Sequence, residues 1–177
     1  MAKSPLEASV QSRISRSIGY VPSRLLLVTI SNQALKLIEN GAVVRQYPVS
    51  TSQWGVGNRE GSNQTPLGLH RIHGKFGDGA PPGRIFESRN DTGRDWNGGT
   101  EGENLILSRI LRLEGLEPGV NRGDGIDSYE RYIYIHGTSK EDLIGTPLSH
   151  GCVCMRNHDV IDLFDMVEEG TFVFIDQ

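Results

Sequence analysis

The chain has 177 residues, with 18 Lys and Arg against 22 Asp and Glu, so its formal net charge is −4. A mildly acidic chain of single-domain length, without a basic run, argues against nucleic-acid binding. Its 22 glycines and 8 prolines favour turn-rich β structure over a helix bundle.

The N-terminal residues differ in their residue pattern from the rest of the chain. Residues 1–23 are polar and aperiodic, and they are predicted to form a loose arm or short helix ahead of one domain over residues 24–177. From residue 24 onward, short apolar segments separated by turn residues predict β-strands. The predicted strands are residues 25–30, 34–38, 43–49, 69–72, 105–113, 131–135 and 171–175.

Helical spacing is clear near the C-terminus. The apolar residues that follow the i, i+3, i+4, i+7 pattern are Val160, Leu163, Phe164 and Val167. Asn157 is the expected N-cap and Gly170 the expected C′ residue of this helix. The sequence therefore predicts a mainly β fold, a sandwich or partly closed barrel, with one packed C-terminal helix.

Residues 74–104 contain eight glycines and little periodicity. A segment this long without regular structure is uncommon in a compact domain, so it is interpreted as an insertion that rims a site. Arg84, Arg89 and Arg94 lie in it. They are either solvated loop charges or binders of a carboxylate, which the planar guanidinium fork recognises with two hydrogen bonds.

The chemistry concentrates in residues 132–157. Strand alternation places Ile133 and Ile135 on one face, and Tyr132, Tyr134 and His136 on the other. Cys152 follows 16 residues after His136, behind Gly151, whose small size lets backbone N–H groups approach a reacting carbonyl. A cysteine nucleophile needs a nearby base because few thiols are ionised at neutral pH. Two interpretations stay open here: a Cys–His nucleophile site and a buried inert cysteine.

Metal binding and a disulfide are the other roles open to the two cysteines. Cys152 and Cys154, with His150 and His158, could form a zinc set, but the spacing lacks the usual second pair. A Cys152–Cys154 disulfide would close a strained ring. Cys154 is most simply a small buried residue. We therefore expect no metal and no cofactor.

The motif in this region resembles the signature of the YkuD-type L,D-transpeptidase catalytic domain. That signature is a His, a spacer of about a dozen residues, and then Ser/Thr-His-Gly-Cys. Here it reads His136-Gly137-Thr138 followed by Ser149-His150-Gly151-Cys152. The likeness extends over roughly residues 24–176 and includes the segments 39–41, 47–50 and 65–68.

The resemblance implies a β-rich fold and a cysteine enzyme acting on peptidoglycan tetrapeptide stems. Such an enzyme cuts the bond between the L-centre of a diamino acid and the terminal D-Ala. The roles it implies are Cys152 as nucleophile, His136 as base, Gly137 O as its orienting group, His150 as second histidine, Gly151 with Cys152 as oxyanion hole, and Ser149 as loop-positioning residue.

The chain departs from this family at one site position. Relatives commonly have Arg or Asn two residues after the nucleophile, where this chain has Cys154. The role of that side chain is either lost or taken over by Arg156. The expected substrate-binding residues are Tyr134 as a pocket wall, with Arg156, Arg84 and Arg94.

Three functions follow from these residues. The first is a cytoplasmic L,D-carboxypeptidase that trims soluble muropeptides during recycling, because residues 1–20 lack the apolar run of a signal peptide. The second is an L,D-transpeptidase that cross-links stem peptides, periplasmic if a leader was removed. The third is a non-catalytic cell-wall binding module. The expected partners are stem peptides or muropeptides and a carbapenem as covalent inhibitor, with neither nucleic acid nor membrane.

Overall fold

The computed structural model describes residues 6–99 and 102–177. No helix among these residues is both long and apolar enough to cross a lipid bilayer. The elements in chain order are α1 Ala8–Ile18, β1 Arg24–Thr29, β2 Ala34–Glu39, β3 Ala42–Pro48, β4 Gly68–Phe76, β5 Arg84–Glu87, β6 Asn90–Asp95, β7 Ile106–Gly115, β8 Tyr134–Thr138, a 3-10 turn Glu141–Leu143, β9 Val153–Met155, α2 Asn157–Met166 and β10 Phe172–Asp176.

All the described strands join one open mixed sheet. Its main path runs β3-β2-β1-β10-β4-β7-β5-β6, and β8 and β9 branch from β7. Strand β7 is therefore the hub, since it pairs with β4, β5 and β8. The pairs β1–β10 and β8–β9 are parallel. The predicted mainly β fold with a packed C-terminal helix is confirmed, and its β layer takes this branched form.

The two helices cover opposite faces of the sheet. On β1, Leu26 and Val28 belong to the core that includes the apolar face of α2. The alternate residues Leu25 and Leu27 belong to a second core with α1. An apolar run on both faces is typical of a strand covered on both sides.

The N-terminal arm takes the helical one of its two expected forms. Ile14 of α1 is fully buried against the second core, together with Val10. Burial of one such side chain contributes roughly 1.5–3 kcal/mol. Helix α1 is thus packed against the sheet.

The glycine-rich segment has more regular structure than expected. Strand β4 continues to Phe76, and β5 and β6 form a hairpin inside the segment. Strand β5 joins the sheet through Ile85 and Phe86, which pair with β7. The interpretation of residues 74–104 as a long aperiodic insertion is wrong for this hairpin.

Two predicted boundaries near the site are also wrong. Strand β8 begins at Tyr134, because Tyr132 has a φ of 55° and breaks the extended backbone. Helix α2 has Arg156 in the N-cap position. Asn157 is instead the first helical residue, and Gly170 lies beyond the helix, in the turn before β10.

The start of α2 is fixed by a residue distant in sequence. The Glu141 carboxylate accepts hydrogen bonds from the Asn157 backbone N–H at 2.7 Å and from its side-chain Nδ2 at 2.8 Å. A carboxylate there also favours the positive end of the helix dipole. Asn157 Nδ2 donates in addition to Thr138 O at 3.1 Å, so it anchors the helix to the end of β8.

An irregularity in β7 lies opposite the end of β8. The register shifts between Leu107 and Ile110, and Ser108 between them has a φ of 69°. The Ser108 hydroxyl donates to Asn157 Oδ1 at 2.6 Å and accepts from Gly83 N at 2.8 Å. Such bulges re-aim neighbouring side chains and are frequent beside active sites.

Candidate active site

The candidate site lies where β8 and β9 run in parallel. His136 pairs in register with Cys154, so the two side chains leave the same face of the sheet. The intervening residues Ile135 and Val153 point into the core that α2 covers. Alternation therefore presents Tyr134 and His136 of β8 to the side that carries Cys154 of β9 and Cys152 just before it.

The His136 ring is held by its neighbour's backbone. Its Nδ1 lies 2.7 Å from Gly137 O. A carbonyl oxygen only accepts, so Nδ1 carries the hydrogen and Nε2 presents a lone pair. Burial lowers the pKa of His136 to about 4, although the bond to Gly137 acts in the opposite direction. The ring is thus a neutral imidazole at pH 7.

Gly137 lies at a point of close backbone approach. A Cβ at this position would lie 2.5 Å from Leu107 O and 2.5 Å from Asn157 Oδ1. A side chain here would therefore push β8 away from β7 and α2. The carbonyl that holds His136 belongs to this residue, so the packing also fixes the imidazole.

The sulfur in contact with the imidazole is that of Cys154. Its Sγ lies 3.8 Å from His136 Nε2, whereas the sequence pairs His136 with Cys152. Asn104 Nδ2 donates to the same sulfur at 3.3 Å, and Thr138 Oγ1 donates to Asn104 Oδ1. Cys154 is fully buried, as expected, and burial raises the pKa of its thiol to about 12. Its S–H therefore points to the free lone pair of Nε2.

Cys152 borders the protein surface and has different partners. Its Sγ accepts a hydrogen bond from Tyr134 N at 3.4 Å and donates to Tyr132 O at 3.6 Å. Burial of the sulfur raises the pKa of Cys152 to about 11, and the Tyr134 N–H and the Arg131 charge oppose this rise. At pH 7 the resting group is therefore a thiol rather than a thiolate.

The loop before Cys152 is held by two hydroxyls. Ser149 Oγ donates to Cys152 O at 2.5 Å and accepts from Gly151 N at 3.2 Å. Thr65 Oγ1 donates to Gly151 O at 3.0 Å. Gly151 has a φ of 127°, which favours glycine. Of the two N–H groups expected to hold an oxyanion, that of Gly151 is engaged by Ser149 in this structure.

His150 lies on the outer side of this loop. The side chain is exposed, and its ring centroid lies 4.6 Å from that of Trp54. It lines an open groove of about 250 Å³ together with Asn63, Arg131, Tyr132 and Ile133. Tyr132, whose backbone carbonyl Cys152 contacts, is thus one of the residues that line this groove.

The expected substrate-binding residues are divided among three places. Tyr134 is buried in a small apolar cluster against which Cys152 packs. Arg84 and Arg94 lie on the β5–β6 hairpin and are occupied by ion pairs within it. Arg156 is exposed at the N-cap of α2. Of these four residues, Tyr134 is the one that contacts the Cys152 thiol in this structure.

Several site residues were not predicted from the sequence. Asn104 contacts Cys154 only because β7, β8 and β9 assemble around it. Arg131 directs its guanidinium at Gln64 O, 2.6 Å away, and at Gly57 O, 3.1 Å away, while its charge acts on the Cys152 thiol. Its place beside the Tyr-Ile-Tyr-Ile-His run could have identified Arg131. Asn104, at the end of the glycine-rich segment, had no comparable signal.

Among the described residues, no three His, Cys, Asp or Glu side chains are grouped so that they could hold a metal ion. Cys152 and Cys154 are both free thiols. The chemistry available at this face is therefore that of a neutral imidazole, two thiols and the surrounding backbone amides.

The family model for YkuD, the L,D-transpeptidase catalytic domain, matches residues 23–175. The putatively assigned L,D-transpeptidase YqjB of Bacillus subtilis is 44% identical over 41 residues, 23% of each chain. The probable L,D-transpeptidase YbiS of Escherichia coli K12 is 50% identical over 48 residues, 27% of this chain and 16% of that protein. These alignments thus span less than a quarter of the curated relatives.

A solved structure has the same fold over most of the chain. L,D-transpeptidase 3 from Mycobacterium tuberculosis, in complex with a faropenem-derived adduct, superposes with a TM-score of 0.56 at 17% identity. The superposition covers 88% of this chain and 61% of that one. At this identity the likeness establishes the architecture.

Proposed function

Because the chain belongs to the YkuD family of L,D-transpeptidase catalytic domains, we propose that it releases terminal D-Ala from peptidoglycan tetrapeptides through a Cys152 thioester. The observation that carries the proposal is the His136 ring, which Gly137 O fixes so that Nε2 faces Cys154, two residues after Cys152. A neutral imidazole whose Nε2 carries no proton is a competent proton acceptor.

Accessibility favours Cys152 over Cys154 as the nucleophile. Cys154 is fully buried and enclosed by His136 and Asn104, so a peptide carbonyl has no path to its sulfur. Cys152 is half-buried, and its Sγ contacts the backbone carbonyl of Tyr132, a residue that lines the groove together with His150. To reach the base, which contacts Cys154 in this structure, the Cys152 side chain must rotate away from Tyr132 O.

The first half-reaction transfers the acyl group to sulfur. Cys152 Sγ attacks the carbonyl of the diamino acid while its proton passes to His136 Nε2. The tetrahedral intermediate then collapses, the C–N bond breaks, and the imidazolium returns the proton to the departing D-Ala amine. Since the resting groups are both neutral, the proton moves together with C–S bond formation rather than beforehand.

The second half-reaction consumes the thioester. A water molecule attacks the acyl carbonyl and loses a proton to His136, and the thiolate leaves and recovers that proton. The products are a tripeptide and the restored thiol. Tyr134 N–H, already directed at Sγ, stabilises the leaving thiolate.

Cross-linking is the second candidate, and the names of the relatives favour it. It shares the acyl-enzyme, but the amine of another stem peptide replaces water as the acceptor. The two outcomes differ only in the second half-reaction, so the products separate them.

The test is mass spectrometry of the products from one defined tetrapeptide muropeptide, with and without an added amine acceptor. We expect free D-Ala and tripeptide in both samples, and no reaction with Cys152→Ala. A cross-linked dimer would replace the carboxypeptidase assignment with transpeptidation. Binding of the peptide without either product would support a non-catalytic wall-binding module.

A further inference from the structure

The β5–β6 hairpin carries three arginines, and only one of them lacks an acidic partner among the described residues. Arg84 pairs with Asp91 at 3.0 Å and Asp95 at 2.7 Å. Arg94 pairs with Glu87 at 2.8 Å. The third arginine, Arg89, is instead directed at aromatic side chains.

Arg89 contacts two tyrosines at the edge of the candidate site. Its Nη1 donates to Tyr134 OH at 2.7 Å, and its guanidinium lies 5.5 Å from the ring centroid of Tyr132. The side chain is only partly exposed. A guanidinium has five N–H donors, and among the described residues Arg89 uses one of them, so the others can donate to an added acceptor.

Tyr134 connects this guanidinium to the reactive sulfur. Its backbone N–H donates to Cys152 Sγ, and its ring packs with Phe86 and Ile110 in the cluster that also contacts Cys152. One tyrosine side chain therefore separates Arg89 from the amide that holds the thiol. Arg89 is thereby linked to the Cys152 thiol through a single residue, Tyr134.

The guanidinium of Arg112 is a second cation close to Tyr132. The Arg112 guanidinium is 3.5 Å from the Tyr129 ring centroid and 5.0 Å from that of Tyr132. Arg112 is 7% exposed, pairs across the sheet with Tyr134, and has a buried Nε without a partner. Two guanidinium groups thus converge on Tyr132, and among the described residues neither has a carboxylate within salt-bridge distance, although Glu60 and Glu130 line the neighbouring groove. Arg112 Nη2 donates to Tyr129 O at 2.9 Å, but the positive charge of Arg112 has no ion-pair partner within 4 Å among the described residues, so an anion bound nearby is favoured.

We propose that Arg89, supported by the Arg112 charge, binds a carboxylate of the donor stem peptide and so determines which peptide Cys152 acylates. This inference rests on the proposed function and assigns the specificity of the same site. The carboxylates of a diaminopimelate-type tetrapeptide stem include the terminal one of D-Ala and the side-chain one of the diamino acid. Both present the planar anion that a guanidinium holds with paired hydrogen bonds.

The experiment measures peptide binding without turnover, in the Cys152→Ala background. Three peptides are compared by calorimetry: the free tetrapeptide, its D-Ala carboxamide and its diamino-acid side-chain carboxamide. We expect one carboxamide to bind about tenfold more weakly than the free acid, which identifies the carboxylate. Adding Arg89→Gln should abolish that difference. Arg16→Gln, which removes an exposed charge on α1, should preserve it.

Arg89→Lys serves as a second variant in case Arg89→Gln is unstable, and we expect it to retain part of the difference because it keeps the charge but loses the fork. An unchanged preference for the free acid in both Arg89 variants overturns the inference. So does a failure of all three peptides to bind. Release of D-Ala by the wild-type chain is measured separately, so peptide binding with carboxylate preference but no D-Ala release contradicts only the proposed function.

Discussion

The thiol of Cys154 lies 3.8 Å from Nε2 of His136, the nitrogen whose lone pair the Gly137 carbonyl leaves free. The position of Cys154 is the one at which the family resemblance leads us to expect Arg or Asn. An S–H donor at this nitrogen stabilises the neutral ring and competes with Cys152 for the lone pair. Cys154 therefore affects the protonation of His136, and its own sulfur is not within reach of a substrate.

The two cysteines should respond differently to substitution. Cys152→Ala is expected to lower D-Ala release by more than about 1000-fold, because it removes the nucleophile. Cys154→Ala should keep most of the turnover and shift the acid limb of the pH–rate profile to higher pH, since Nε2 loses its S–H donor. Rates measured across the pH range check both expectations. Equal loss of activity in the two variants contradicts the assignment of Cys152 alone.

A carbapenem should acylate the chain once. Opening of the β-lactam by Cys152 Sγ gives a thioester whose mass increase equals that of the intact inhibitor. Intact-protein mass spectrometry of the wild type and Cys154→Ala should show a single adduct, and Cys152→Ala should show none. An adduct retained in Cys152→Ala and lost in Cys154→Ala would exchange the roles of the two thiols.

Acid should destabilise the fold through two buried histidines. Burial lowers the pKa of His70 and of His136 to about 4, below the ordinary value of 6.5. Between these values the unfolded chain binds more protons, so stability falls as the pH drops from about 6.5 to about 4. Each histidine accounts for at most about 3 kcal/mol of this loss.

Urea unfolding at pH 7 and at about pH 4.5 measures the effect, with His70→Gln as the matched variant. His70 bonds Gly68 O at 3.0 Å and Ser128 Oγ at 2.8 Å, so the variant lowers stability at both pH values. It should, however, show a smaller difference between them than the wild type. A pH difference as large as that of the wild type would assign the acid sensitivity to other groups.

Gly137→Ala should impair both the fold and turnover. The added Cβ meets backbone Leu107 O at 2.5 Å, which cannot move aside as a flexible side chain would. We expect the free energy of unfolding to fall by about 1–3 kcal/mol. We also expect kcat to fall, since the carbonyl that orients His136 is displaced. Gly99→Ala is the control, because its nearest neighbour is a side-chain oxygen at 3.2 Å. Similar kcat values in the two variants would show that the packing of Gly137 does not control the orientation of His136.

Local patterns were sufficient to predict the strands that carry the core and the signature that carries the site. In β1 and β2, apolar residues and the Glu-Asn-Gly turn specify the structure within a few residues. The His136 and Cys152 motifs are likewise readable from the chain. The domain division and the cytoplasmic location stay predictions.

What the sequence did not reveal depends on contacts between distant residues. The β5–β6 hairpin is rich in glycine and charge, and cross-strand ion pairs such as Arg84–Asp95 support it. The start of α2 is set by Glu141, which lies 16 residues before Asn157 in the chain. The contact of His136 with Cys154 follows from the parallel register of β8 and β9.

Helix α1 has a practical consequence for anyone trimming this chain to the span of the family match. A fragment of residues 23–175 lacks α1 and would leave Leu25, Leu27 and Phe174 without the helix that covers them. An exposed hydrophobic patch of this kind promotes aggregation. The shortened protein should therefore express poorly, even though every reactive group is still present. The smallest fragment resistant to limited proteolysis should accordingly retain the helix.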